Sequence, residues 1–553
     1  MKAAEDWIRF LRKYGPIAQN GNMFDEEIWR AAKRTGIEPI TFGHPLAERL
    51  LRCFDLSNNE WKSVILTGTA GDGKTHLCRK VWQKLGGDGG EWSSDEPYVM
   101  TTVQHLNRGK VQVHVIRDLS AWVPQQRMAW PQEKAQLLLK FSKLLSEAAP
   151  TDFFLIAAND GQLIEAWRRL AEHTEDEDVE LALRIFDDLL FKGEEEAIGL
   201  KFFNLSQMNS SDLFELALGK LLAHERWQEC FEGEAAESVT FGLQSPIRRN
   251  YELLREPLIQ ARLRTLFEFC DHNQLHVPIR EILLLLANAI LGHPDCREGL
   301  MIPRDVERVL NNGTEAKASL YSNIFGGNLS ATRQESIPVF RYLNLLRIGY
   351  ETTNRIDNIL VFGDTDERLR PYFQKLVDDD SFYGADKSYG EARGAYIEGP
   401  DEDHEKSEEF LEALVAQRRA LFFKIPAEWE EELKLWDLTV FKHAGTYRMK
   451  VFRTLKEGKK VERQIVRRLV KGLNRVWVGM LVDRDQELYL ATGLAFSNAR
   501  VSRLLEEQIS VAPRLGQRVG IVDQNGMPTL QVALSKEICC PFPLTLTRFE
   551  FLN

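Results

Sequence analysis

The chain is poor in cysteine, with seven in 553 residues, at positions 53, 78, 230, 270, 296, 539 and 540. No two are spaced C-x2-C, so the pattern offers no zinc ribbon or finger, and an odd number over this length is not a disulfide framework. The expectation is buried thiols, with Cys539 and Cys540 adjacent in a strand and facing opposite ways. Long apolar runs are also missing. The longest, 279–291, contains Arg280 and Glu281 and falls short of the ~20 residues of a membrane span. The first residues, Met-Lys-Ala-Ala-Glu-Asp-Trp, carry no apolar stretch of the kind a signal peptide needs. Neither an internal repeat nor a long low-complexity tract is present. These absences lead to the expectation of a soluble, cytoplasmic protein without membrane partners.

What is present is ample material for several cores: 44% hydrophobic and 28% charged residues, at about 100–200 residues per domain. Residues 1–60 read as a helical segment. Residues 61–210 alternate short apolar strand candidates (63–67, 111–117, 153–158, 201–205, and more weakly 98–103) with helical stretches, the pattern of a three-layer α/β core with a parallel sheet. Only a short connection separates 98–103 from 111–117, so those two can pair as a hairpin. Residues 211–376 read as a mostly helical region, 377–433 as an acidic linker followed by a helix, and 434–553 as a basic, β-rich (α+β) domain. In that last domain 437–451 and 477–492 alternate apolar and polar residues, and Asn525-Gly526 is a hairpin signal.

Charge is distributed unevenly. The net charge is −11, which by itself speaks against nucleic acid. Yet 434–520 holds 18 Lys/Arg against 8 Asp/Glu, leaving −21 elsewhere. The basic block includes Lys456-Glu-Gly-Lys-Lys460, Arg463-Gln-Ile-Val-Arg-Arg468, Lys471 and Arg475, whereas acidic stretches lie at 172–180, 194–196 and 398–409. A positive face of this kind suits a phosphate backbone or an acidic partner protein, or is a solvated face balanced by the acidic segments.

The most specific signal is Gly68-Thr69-Ala70-Gly71-Asp72-Gly73-Lys74-Thr75, followed by His76, which matches G-x-x-x-x-G-K-[ST] between a strand and a helix. Three glycines allow a backbone nest whose N–H groups face phosphate oxygens, and the following helix adds its positive end. Lys74 is expected at the β- and γ-phosphates of ATP and Thr75 on Mg2+. Such a site needs a strand-end carboxylate for the metal, and the strand 111–117 runs into Asp118. Asp118 can equally be a turn or cap residue. Leu119 follows it, so no water-activating base is assigned. The strand 153–158 ends in Asn159-Asp160-Gly161. Asn159 is placed to hydrogen-bond the attacking water or the γ-phosphate, or it belongs to a plain turn, and Asp160 is a rival to Asp118 as metal ligand.

The run 68–75, the strand ending in Asp118 and Phe-Leu-Ile-Ala-Ala-Asn159-Asp together resemble the AAA+ ATPases related to replication initiators. The strand Lys201-Phe-Phe-Asn-Leu-Ser206 and the helical region after it are similar too, and the resemblance implies a helical lid. In that lid Val277-Pro-Ile-Arg280 would supply an arginine that touches the γ-phosphate, unless Arg280 is an ordinary surface residue. A narrower resemblance, carried also by Tyr321-Ser-Asn-Ile-Phe325-Gly and Lys471-Gly-Leu-Asn-Arg475-Val, is to the DptF/DndF ATPases of phosphorothioation-dependent bacterial restriction systems. It implies an antiviral defence complex with nuclease partners and duplex DNA. It leaves open a homo-oligomer, for which Arg248, Arg249 and Arg355 are candidate inter-subunit arginines. No nuclease motif is present in the chain. The second reading is a nucleotide-sensing scaffold that recruits protein partners with little turnover.

Overall fold

The computed structural model describes residues 1–17, 24–58, 60–92, 96–124, 130–147, 150–193, 195–385, 387–398, 404–478, 485–491, 504–514, 516–535 and 538–553. The chain forms two compact units. The first comprises 1–243, 276–291 and 300–306; the second comprises 244–275, 292–299 and 307–553. The helical stretch 211–376, expected as one region, is therefore shared between them.

The first unit is an α/β layer structure around a six-stranded mixed sheet. Its strands are β1 (Ser63–Thr67), β2 (Tyr98–His105), β3 (Gly109–Ile116), β4 (Asp152–Ala157), β5 (Glu196–Ala197) and β6 (Leu200–Asn204), in the order β2-β3-β4-β1-β6-β5. β3, β4, β1 and β6 are parallel, while β2 and β5 pair antiparallel at the edges. The near-continuous apolar runs of the central strands follow from burial on both faces. Alternate residues point to opposite sides. Val64, Leu66, Val113 and Leu155 pack with Leu77, Val81 and Trp82 of the Lys74–Lys84 helix. Ile65, Ile116, Phe154 and Ile156 pack on the other face, with the helices Gln132–Leu144, Asp160–Thr174 and Glu177–Lys192.

This topology positions a site. The connection out of β1 runs through the Lys74–Lys84 helix on one face, toward β3. The connection out of β4 runs through Asp160–Thr174 on the opposite face, toward β6. β1 and β4 are neighbours, so the chain leaves two adjacent parallel strands in opposite directions, and a crevice opens beyond their carboxyl ends.

The second unit is helical up to residue 478 and β-rich beyond it. Three expectations need correcting. Residues 437–451 do not form strands: 3-10, α and π turns cover Leu435–Leu438, Ala444–Thr446 and Tyr447–Phe452, followed by the helix Arg463–Val478. Their apolar residues Leu438, Phe441, Ala444, Tyr447 and Val451 recur every three or four positions and are all buried, which is helical spacing. The acidic linker contains the helix Lys387–Glu398 beside the long helix His404–Lys424. Cys539 and Cys540 are exposed, whereas the other five thiols are buried, because β11 (Cys539–Pro543) lies at the edge of its sheet. Within the expected acidic stretches, the linker and the segment 477–492, residues 194, 386, 399–403, 479–484 and 492 lie outside the described residues.

The strands of the second unit are β7 (Glu487–Ala491) with β8 (Leu504–Ser510), and the antiparallel sheet β11-β10-β9, where β9 is Arg518–Gln524 and β10 is Met527–Ala533. Asn525 and Gly526 join β9 to β10 with φ of 55° and 81°, the left-handed pair that a two-residue hairpin turn requires. Among the described residues no helix is long and apolar enough to cross a membrane.

Candidate functional site

The loop 68–75 is built by its glycines and one aspartate. Gly68, Gly71 and Gly73 have φ of 140°, 96° and 85°, a region that side chains other than glycine rarely enter. Space is short as well: a Cβ on Gly71 would lie 2.7 Å from Cβ of Arg280. Asp72 is 2% exposed. Its Oδ2 accepts from the Thr69 N–H at 2.6 Å and the Thr69 hydroxyl at 3.1 Å, and its Oδ1 faces Nε2 of His276 at 2.6 Å. A buried carboxylate needs such partners to offset its desolvation. The Thr69 N–H also reaches the Ser206 hydroxyl at 3.1 Å, and the Arg280 N–H donates to the Gly71 carbonyl at 3.1 Å. The loop is thus fixed from three directions before any ligand arrives.

Lys74 starts the helix and turns back into the crevice. Its ammonium donates to the carbonyls of Gly68 (3.1 Å) and Thr69 (2.7 Å) and to Oδ1 of Asn159 (2.8 Å). Burial lowers its pKa, while Asp72, Asp160 and Asp118 oppose that shift by attraction. Asn159 stands at the carboxyl end of β4 as the N-cap of Asp160–Thr174, where its own N–H meets the Gln162 side chain at 3.4 Å. The structure therefore brings Lys74 and Asn159, 85 positions apart, together at the crevice between β1 and β4.

Asp118 lies beyond the end of β3 and lines the same cleft. It also serves as a cap: its Oδ1 accepts from the Ser120 N–H (2.9 Å) and hydroxyl (2.6 Å). Its Oδ2 has no hydrogen-bond partner among the described residues. Leu119 is fully buried in the core, so no carboxylate follows Asp118 toward the cleft. Asp160 does not line the cleft, and its Oδ1 is enclosed without a hydrogen-bond partner among the described residues. Arg280, in the first turn of the helix Ile279–Leu291, borders the cleft beside Gly71. Arg248, Arg249 and Arg355 belong to the second unit and are engaged there: Arg248 with Glu252 at 2.9 Å, Arg249 with Asp380 at 3.6 Å, and Arg355 with Glu432 at 2.5 Å.

The cleft holds a cavity of about 220 Å³ that opens to solvent at its mouth. Ala70, Gly71, Gly73, Lys74, Thr75 and His76 form its floor. A further wall, which sequence reasoning missed, is made of the N-terminal residues Tyr14, Ile28, Trp29, Ile40, Phe42 and His44. The Tyr14 hydroxyl accepts from the Ile40 N–H at 3.0 Å and ties two N-terminal segments together. In the sequence Gly43-His44-Pro45 reads only as a helix break, and nothing in it pairs that stretch with residues 68–76. Burial first, and neighbouring positive groups second, push the pKa of both His44 and His76 down to about 4. Both imidazoles are neutral near pH 7. Among the described residues no cluster of three or more His, Cys, Asp or Glu side chains is gathered to hold a metal ion. Thr75 and Asp118 nevertheless supply two hard oxygen donors to one cleft, the donor chemistry of a magnesium ion that completes its shell with water and phosphate oxygens. No protein-family model, curated protein or solved structure matches the chain.

Proposed function

We propose that the 68–75 loop binds the phosphates of ATP with Mg2+ and that the chain hydrolyses it, as an AAA+-like P-loop ATPase with a helical lid. The observation that carries this reading is the meeting of Lys74, Asn159 and Asp118 at the carboxyl ends of β1, β4 and β3, beside a glycine loop at a helix N-terminus. A cation, an amide and a carboxylate converge there on a cleft that the apolar residues Tyr14, Ile28, Trp29, Ile40 and Phe42 also line. That lining suits a nucleobase as the floor suits phosphates.

Lys74 would exchange the Gly68 and Thr69 carbonyls for β- and γ-phosphate oxygens, a charge-assisted interaction stronger than the one it leaves. Asn159 accepts from Lys74 through Oδ1, which leaves its amide N–H groups to donate toward the γ-phosphate or the attacking water. Thr75 and Asp118 would hold the magnesium ion, whose charge offsets that developing on the phosphates. Arg280 is close enough to the loop to add a second cation from the lid side. In keeping with the resemblance to DptF/DndF ATPases, nucleotide turnover would be coupled to DNA or nuclease partners of a cytoplasmic defence complex.

Leu119 favours a second reading. With an apolar side chain where many such ATPases carry a base, the chain would act as a slow nucleotide-dependent switch that recruits proteins. ATP turnover measured with and without duplex DNA, across protein concentrations, separates the two. The ATPase reading expects turnover that DNA stimulates; turnover that stays at a low basal level in every condition supports the switch.

A further inference from the structure

The helix Arg463–Val478 carries a feature that nucleotide chemistry does not use. Its sequence, RQIVRRLVKGLNRVWV, contains five cations and no carboxylate. At about 100° per residue, Arg463, Arg467, Arg468, Lys471 and Arg475 fall within an arc of about 140°. Ile465, Val466, Leu469, Val470 and Leu473 occupy the other side and are buried. The buried side is fixed closely. A Cβ on Gly472 would lie 2.0 Å from the Leu552 carbonyl. Asn474, which the same spacing places inside the arc between Arg463 and Arg467, is buried and joins the helix to β7, donating to the Glu487 carbonyl at 2.9 Å and accepting from the Tyr489 N–H at 3.0 Å. The basic arc is therefore presented by a rigid support.

Arg463, Arg467, Arg468 and Arg475 are exposed and have no ion pair among the described residues. Glu462, next to Arg463 in the chain, forms no ion pair among the described residues, and Glu457 is taken by Arg453 at 3.1 Å and Lys459 at 2.7 Å. Four exposed guanidinium groups on one face repel each other, and an anionic partner removes that cost.

We infer that this face binds the phosphate backbone of duplex DNA. Three observations favour that occupant. An acidic protein would need an apolar or aromatic interface centre, and from Arg463 to Arg475 this arc is charged or polar throughout, as nucleic-acid interfaces are. Single strands are held by aromatic side chains interleaved with cations, whereas the one exposed aromatic of the helix, Trp477, projects outside the arc. A helix presenting one face for about 18 Å at 1.5 Å per residue can lean into the ~12 Å major groove of B-form DNA. The narrow major groove of duplex RNA does not admit it.

This inference is independent of the nucleotide reading, and its test needs no nucleotide. Binding of a labelled 30-base-pair duplex to the full-length protein is measured at two salt concentrations. Wild type is compared with R463Q/R467Q/R468Q/R475Q and with R52Q/K143Q/R168Q/K192Q, which removes equal charge from exposed sites of the first unit. The first variant should lose at least about tenfold in affinity, and its salt slope should flatten by about 0.9 for each phosphate no longer neutralised. The weakening should be the same for unrelated DNA sequences. The control variant should bind like wild type. An Arg→Lys variant at the same four helix positions should keep most of the affinity, which separates removal of charge from a folding defect. Absence of duplex binding by wild type overturns the inference. So does an equal weakening in both Gln variants, or tighter binding to duplex RNA or polyglutamate than to duplex DNA.

Discussion

The cleft at the end of β1 and the basic face of the Arg463–Val478 helix both present cations, but they hold them in opposite ways. In the cleft, Lys74 has three protein acceptors within 3.1 Å, and Asp72 is met by Thr69 and His276. On the helix, four arginines stand exposed without an ion partner among the described residues. Burial explains the difference. An ion removed from water must be paired inside the protein, so a buried site is preorganised and its ligand displaces existing partners. A surface cation stays hydrated and can wait for its partner at little cost. The first arrangement suits positioning for chemistry; the second suits reversible, salt-sensitive attachment.

This contrast is most sharply broken at the carboxylates and the amide of the cleft. Asp118→Asn should lower Mg2+-dependent ATP turnover by at least about 100-fold, and Asn159→Ala by about 10²–10³, the scale for a donor used mainly in the transition state. ATP affinity of Asn159→Ala should change little, because in the proposed role that interaction would belong to the step rather than to binding. If Asp160→Asn is the inactive variant while Asp118→Asn turns over normally, the enclosed Oδ1 of Asp160 marks the metal side instead. Charge removal on the helix should leave turnover without DNA unchanged.

A separate effect is on stability. His44 and His76 have pKa values pushed down to about 4 in the folded chain, against about 6.5 for a free imidazole. Between these values the unfolded chain binds more protons, so stability rises with pH through that window. It is complete above about 6.5 and is lost as pH falls toward 4. On the order of 1–3 kcal/mol for each imidazole is at stake. Denaturant unfolding at pH 7 and pH 4.5 should show a smaller pH dependence in H44Q/H76Q than in wild type. An equal dependence would mean that these rings are solvated.

Sequence alone located the central strands well. The runs 63–67, 111–117, 153–158 and 201–205 appear as Ser63–Thr67, Gly109–Ile116, Asp152–Ala157 and Leu200–Asn204. Burial on both faces gives them unbroken apolar stretches that few other structures need. The Asn525-Gly526 turn was legible for an equally local reason. The helical turns of 437–451 were not. Apolar residues three and four apart also fit a loose alternation when the segment is short, and helix and strand periods separate only over longer windows. The apolar wall of the cleft was hidden for a different reason. Tyr14, Trp29, Ile40 and Phe42 are brought to the 68–76 loop by tertiary packing, and no local pattern encodes that meeting. The cationic arc was visible as a count of charges, but its confinement to one face and the fixing of its opposite side required the structure.

The phosphate-binding role proposed for Lys74 is open to direct measurement. Calorimetric titration of the wild-type chain with Mg·ATP at pH 7 should give one nucleotide bound per chain. Lys74→Ala should weaken that binding by at least about 100-fold, or about 2.7 kcal/mol, because no neutral side chain replaces an ammonium among phosphate oxygens. Equal Mg·ATP affinity in the two proteins, or no binding by wild type, would contradict it.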